Sequence, residues 1–151
     1  MSYDLAVFDP RDELRDATTF RTWYIERVKW KGVVHFDEAP NSTAPLQAWL
    51  RDMLNIFPPL NGPRRWPSIA DAAEWDRLAD YAITSDLIYV GFVSGQEGFA
   101  YDTVCRLASN HRVGVYNVSG SPGEVWFPAP LGGLEVVHSA GTGTPYRTRL
   151  T

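Results

Sequence analysis

The clearest periodicity in the chain runs through Leu46, Trp49, Leu50, Met53, Leu54 and Phe57, at steps i, i+3, i+4, i+7, i+8 and i+11. That spacing puts six apolar side chains on one face of an α-helix. Ser42 or Thr43 stands ahead of it as the capping residue, Pro45 falls in its first turn, and Pro58-Pro59 ends it. A weaker pattern of the same kind joins Phe20, Trp23, Tyr24 and Val28, with Asp16 as N-cap and an end near Trp30. A third helix is predicted after Ser94-Gly95-Gln96-Glu97, which has the form of a capping box. Its buried stripe is Ala100, Val104, Leu107 and Ala108, and Asn110-His111 close it.

Other segments alternate or carry β-branched and aromatic runs. Tyr3 to Phe8 alternates around Leu5 and Val7 and stops at Asp9-Pro10. Tyr81 to Thr84 and Leu87 to Val93 read as a hairpin across Ser85-Asp86, a turn without the usual glycine. Val113 to Val118 predicts a further strand, and Val125-Trp126-Phe127 a short one after the Gly120-Ser121-Pro122-Gly123 turn. Two stretches lack a firm element: Lys31 to Asn41, and the longer Leu60 to Leu78.

The predicted order is β, α, α, β, β, α, β, β. It implies an α+β domain with an antiparallel or mixed sheet and helices on one face. A hairpin flanked by strand-to-helix units matches the split βαβ of ferredoxin-like folds, here with an extra N-terminal helix and a C-terminal strand. Residues 1–128 form the expected single domain. Residues 129–151, rich in Gly and Pro with little periodicity, form the expected partly ordered tail.

Composition narrows the class. With 151 residues, 44% of them hydrophobic and six of them Trp, the chain has the material for a core. Cys105 is its one cysteine, which excludes an internal disulfide and any multi-cysteine zinc site and suits a reducing compartment. No secretory leader or membrane-length apolar run is present, so a cytoplasmic location is expected. The net charge of −4 and the lack of a Lys/Arg stripe argue against nucleic acid and membrane as partners. Between Asn61 and Asn110, Asp71, Glu74, Asp76, Asp80, Asp86, Glu97 and Asp102 outnumber Arg64, Arg65, Arg77 and Arg106. A basic protein partner fits that balance.

Catalysis requires convergent groups that attack, exchange protons or hold a metal. His35 and Asp37 would share one face of an extended segment, with Glu38 opposed, but the trio reads first as a solvated loop. His111 belongs at a helix C-terminus, where an imidazole offsets the dipole. His138 has no assigned role, and Cys105 reads as an inert thiol. No glycine pattern forms a phosphate loop or dinucleotide fingerprint. The expectation is a non-enzyme with no catalytic residue, metal site or cofactor.

Two tryptophans fall outside every stripe. Trp66 and Trp75 stand among Asp71, Glu74 and Asp76, and aromatic anchors ringed by charge are what interface centres use. The same rings would equally serve to pin a long loop onto the core. These five residues are the expected partner-binding set, and Asp37 and Glu38 are the second choice.

Several stretches resemble a group of small bacterial proteins, some of which look like immunity partners of secreted polymorphic toxins. They are Met1 to Pro10, Phe20-Arg21-Thr22-Trp23-Tyr24, Phe57-Pro58-Pro59-Leu60-Asn61-Gly62-Pro63, Asp80-Tyr81-Ala82-Ile83, and Ile88-Tyr89-Val90 through His111-Arg112-Val113-Gly114. The likeness covers roughly residues 1–127 and carries over no functional position. It implies an immunity protein of interbacterial competition, which binds a cytoplasm-acting toxin and occludes a basic active-site cleft. The competing classes are a small-ligand-binding regulator and a small enzyme on a ferredoxin-like scaffold.

Overall fold

The structure is a computed structural model that describes residues 2–29, 42–60 and 75–139. β1 (Ser2–Phe8) leads through a short 3-10 turn (Asp12–Arg15) into α1 (Ala17–Val28). After α2 (Ala44–Ile56) come β2 (Ala79–Ile83), β3 (Leu87–Val93) and α3 (Glu97–His111). β4 (Gly114–Tyr116), β5 (Glu124–Pro128) and β6 (Leu134–Ser139) complete the order. The six strands form one open sheet in the order β2-β3-β1-β4-β5-β6, with every neighbouring pair antiparallel. The protein is therefore α+β.

β1 explains the layering. Every residue from Asp4 to Phe8 is buried, so the strand is covered on both faces rather than one. Leu5 and Val7 join a core with Leu46, Trp49, Leu50 and Met53 of α2 and Ala100, Val104 and Leu107 of α3. Ala6 and Phe8 point the other way and pack with Phe20 and Tyr24 of α1. The expectation that the helices share one face is corrected: α1 lies on the face opposite α2 and α3. The strand's period of two divides its apolar residues between the layers.

The α1 face is held largely by rings. Phe20 meets Phe8 at 5.3 Å and Tyr116 at 5.2 Å, and Tyr24 meets Tyr116 at 4.8 Å, all edge to face. Such pairs add ~0.5–1.5 kcal/mol each beyond area burial. Gly114 is required here, because a Cβ at that position would run into the Phe8 ring. On the other face Trp49 is fully buried and packs within the α2–α3 core.

Local chemistry settles several ends. Asp16 caps α1 as expected, its Oδ2 accepting from the Thr19 amide at 2.8 Å. Thr43 is the N-cap residue of α2 but makes no side-chain bond there, while the Ser42 hydroxyl donates to the Thr84 carbonyl. The Ser94 capping box is corrected: Gln96 is the N-cap of α3, and the Glu97 carboxylate accepts from the Gly95 amide at 3.0 Å. The glycine-free β2–β3 turn works because the Thr84 hydroxyl replaces a backbone acceptor, taking the Leu87 amide at 2.9 Å. β4 stops at Tyr116, short of Val118, since the Val118 amide turns back to the Tyr116 carbonyl at 3.1 Å. Beyond Pro128, β6 adds a strand that the weak periodicity did not predict, paired with β5 across a bulge at Val125/Trp126.

Candidate functional site

Residues 58–60 and 75–78 meet at the start of β2. The Leu60 amide donates to the Ala79 carbonyl at 2.8 Å, the Ala79 amide to the Pro58 carbonyl at 3.0 Å, and the Leu78 amide to the Trp75 carbonyl at 3.2 Å. Pro59 also makes a parallel bridge with Ala79. The stretches 58–60 and 75–79 are thus clamped together at the start of β2.

Around that clamp stand three large apolar side chains with much of their surface in water: Trp75 at 54%, Phe99 at 44% and Leu60 at 36%. Phe99 lies in the first turn of α3, 5.4 Å from the Phe57 ring, and the Arg77 guanidinium sits 4.2 Å over its face. Asp76 is exposed beside Trp75, and Asp102 is exposed one helical turn beyond Phe99. The surface is apolar and aromatic at its centre with charges of both signs around it, the composition of an interface core and rim.

Of the expected partner-binding residues, Trp75 and Asp76 are placed on this surface, both exposed. Trp66, Asp71 and Glu74 lie outside the described residues, as do His35, Asp37 and Glu38. Sequence reasoning missed Phe99, Leu60 and Arg77. Phe99 had a usable sign, since it falls off the Ala100-Val104-Leu107 stripe on a helix otherwise explained by that stripe.

The opposite face at the same end of the sheet holds a polar cluster. Asp4 and Asp80 are both buried, and the strand register puts both of them opposite Gly91. The Tyr89 hydroxyl donates to Asp4 Oδ2 at 2.5 Å and the Ser2 hydroxyl to Oδ1 at 2.7 Å. Burial raises the Asp4 carboxyl above its ordinary value, against the pull of those two hydroxyls and with the help of the Asp80 charge. Tyr24 from α1 is buried beside Tyr116, and its hydroxyl has no hydrogen-bond partner.

The remaining candidates have structural partners. His111 Nε2 lies 2.6 Å from Asp52 Oδ2 and ties α3 to α2. His138 Nε2 contacts the Leu14 carbonyl at 2.9 Å, with its ring against Phe20. Cys105 is mostly buried near Tyr101, and burial pushes its thiol up to about 11. Among the described residues, no group of three or more His, Cys, Asp or Glu side chains could hold a metal ion. No helix among them is long and apolar enough to cross a membrane.

No protein-family model matches the chain, and neither a curated protein nor a solved structure matches it. The likeness to toxin-immunity proteins rests on the quoted sequence stretches alone.

Proposed function

We propose that this chain is a protein-binding inhibitor of the immunity type, which neutralises a cytoplasm-acting bacterial toxin by covering its active site. The observation that carries the reading is the apolar surface of Trp75, Phe99 and Leu60 at the clamp on β2. Aromatic side chains left half in water at the centre of a charged rim are the side chains that partners bury as anchors. Asp76 and Asp102 lie at its margin, and acidic side chains there speed encounter with a basic cleft. Occlusion needs no chemistry from the inhibitor.

The scaffold agrees with that role. We read β1 to β4, with their 2-3-1-4 antiparallel order, as a ferredoxin-like split βαβ core extended by β5 and β6. Fold likeness of this kind chooses no function, so the weight stays on the surface.

We predict that a toxin domain is encoded beside this chain's gene, and the test uses that domain. Coexpression of the wild-type chain should protect cells from it, and the purified pair should form a complex. Trp75→Ala or Phe99→Ala should weaken that complex by ~2 kcal/mol or more, mainly through faster dissociation. Asp76→Lys should slow association instead. A wild-type chain that neither protects nor binds, or a folded Trp75→Ala/Phe99→Ala double variant that still does both, refutes the proposal.

A further inference from the structure

Two buried acids, Asp4 and Asp86, are served in opposite ways. Asp86 meets the guanidinium groups of Arg27 and Arg11. Asp4, only 4% exposed, has no cation partner among the described residues and is met by the hydroxyls of Tyr89 and Ser2. A buried carboxylate served by neutral donors keeps much of its desolvation cost, which protonation removes.

The surroundings sharpen the contrast. Among the described residues, the titratable groups facing this cluster are Asp80 of β2, Tyr89 of β3, Tyr116 of β4 and Tyr24 of α1. None of the four supplies positive charge. Asp80 acts on Asp4 across Gly91, so a second negative charge opposes ionisation of the first. The Tyr24 hydroxyl, buried without a hydrogen-bond partner, feels the Asp4 charge from the α1 side. Asp4 also joins two elements through its backbone: its amide donates to Ser119 Oγ at 2.8 Å, and its carbonyl accepts from the Ser119 amide at 3.1 Å.

We propose that Asp4 is a proton-operated latch on this end of the sheet, whose neutral carboxyl holds β1, β3 and the Asn117–Ser119 turn together and whose ionisation loosens them. The direction follows from the burial. A carboxyl held above its unfolded value of 3.8 contributes stability that is complete below that value and is lost as pH rises through the folded one. The end of the sheet bearing the latch also bears the Trp75–Phe99 surface, so that surface rests on a firmer base in acid than at neutral pH. The latch holds or fails independently of what the chain binds.

Carboxyl-carbon NMR of the labelled full-length chain, with amide exchange at Asp4 and Ser119 corrected for intrinsic rates, tests it between pH 3 and 8. The Asp4 carbon should titrate above 3.8, and protection of the two amides should fall severalfold through the same midpoint. Asp4→Asn, which cannot ionise, should give pH-independent protection. Asp80→Asn should move the Asp4 midpoint downward. An Asp4 midpoint at or below 3.8, or protection that ignores the Asp4 titration, overturns the proposal. Both readings come from the wild-type chain and stand even if Asp4→Asn does not fold.

Discussion

Asp86→Ala removes a side chain that ties α1, the turn after β1 and the β2–β3 turn together. Its carboxylate is 11% exposed, with Oδ1 2.8 Å from Arg27 Nε and Oδ2 accepting from Arg27 Nη2 at 2.9 Å. Arg11 Nη2 lies 3.5 Å away and the Trp23 indole N–H 3.4 Å away, both on Oδ2. Truncating one member of a fully buried pair costs ~3–5 kcal/mol, and an exposed pair is worth about 0–1 kcal/mol. This pair lies between those limits, because the Arg27 and Arg11 side chains are 38% and 40% exposed and can turn to water. One charge-assisted hydrogen bond, from Arg27 Nη2, is worth ~1.5–3 kcal/mol and, halved for that exposure, leaves about 1 kcal/mol. The lost indole and Thr84 hydroxyl contacts add about 1 kcal/mol more. Asp86→Ala should therefore lower stability by about 2 kcal/mol and Tm by ~4–8 °C. A double-mutant cycle with Arg27→Ala, read by urea unfolding at low and high salt, should give a coupling of about 1 kcal/mol that salt only partly removes. Zero coupling at both salt concentrations would show that the turn is held by Thr84 alone and that Asp86 does not join the layers.

Two further outcomes follow from burial. Leu50→Ala should cost ~2–5 kcal/mol in urea melts and Leu54→Ala clearly less, since Leu50 is 3% exposed and Leu54 only partly buried; equal costs would misplace the α2 face. Cys105, with its thiol raised from 9.0 to about 11, should react with iodoacetamide on the order of a hundredfold more slowly at pH 7–8 than a free cysteine, the rate climbing with pH as thiolate forms; an ordinary rate would contradict its burial beside Tyr101.

How much was legible depends on whether one local rule decided the outcome. The α2 stripe was, because six apolar positions at helical spacing and a closing Pro-Pro leave one arrangement, and Leu46, Trp49, Leu50 and Met53 are all buried in it. The Asp16 cap was legible for the same reason. The side of the sheet taken by α1 was not: β1 reads as Asp4-Leu5-Ala6-Val7-Phe8, apolar at both parities after Asp4, and only the packing shows that both faces are covered. The Ser94 capping box misled because Glu97 can satisfy the Gly95 amide from the helix's first residue, which moves the start two positions on. β6 escaped notice because an edge strand that lends one residue to each layer across a bulge leaves no alternation; Leu134 packs on the α2–α3 core and Val137 on the α1 core, while Val136 is 51% exposed. In the candidate site, Trp75 and Asp76 were visible as an aromatic and an acid outside any stripe. Leu60 joins them through the clamp on β2 and Phe99 through Phe57 and Arg77, contacts between segments distant in the chain.

The clamp also changes what the charge count means. Seven acids against four bases between Asn61 and Asn110 suggested an acidic surface, but two of the seven, Asp80 and Asp86, are inside the protein. Asp86 is already neutralised by Arg27, and Glu97 holds the Gly95 amide at the start of α3. Among the described residues of that stretch, Asp76, Glu97 and Asp102 are the acids left at the surface near Phe99, and Arg77 lies over the ring itself. Long-range attraction scales with the charge that solvent and partner can see, so steering toward a basic cleft is weaker here than the sequence count implies. The apolar trio keeps its full value, because burying an exposed ring against a partner does not depend on net charge. Affinity at this surface should therefore reside in dissociation and in Trp75 and Phe99. The acids adjust the rate of encounter, and Arg77 adds one cation that a matching partner must meet with an acceptor or an aromatic face.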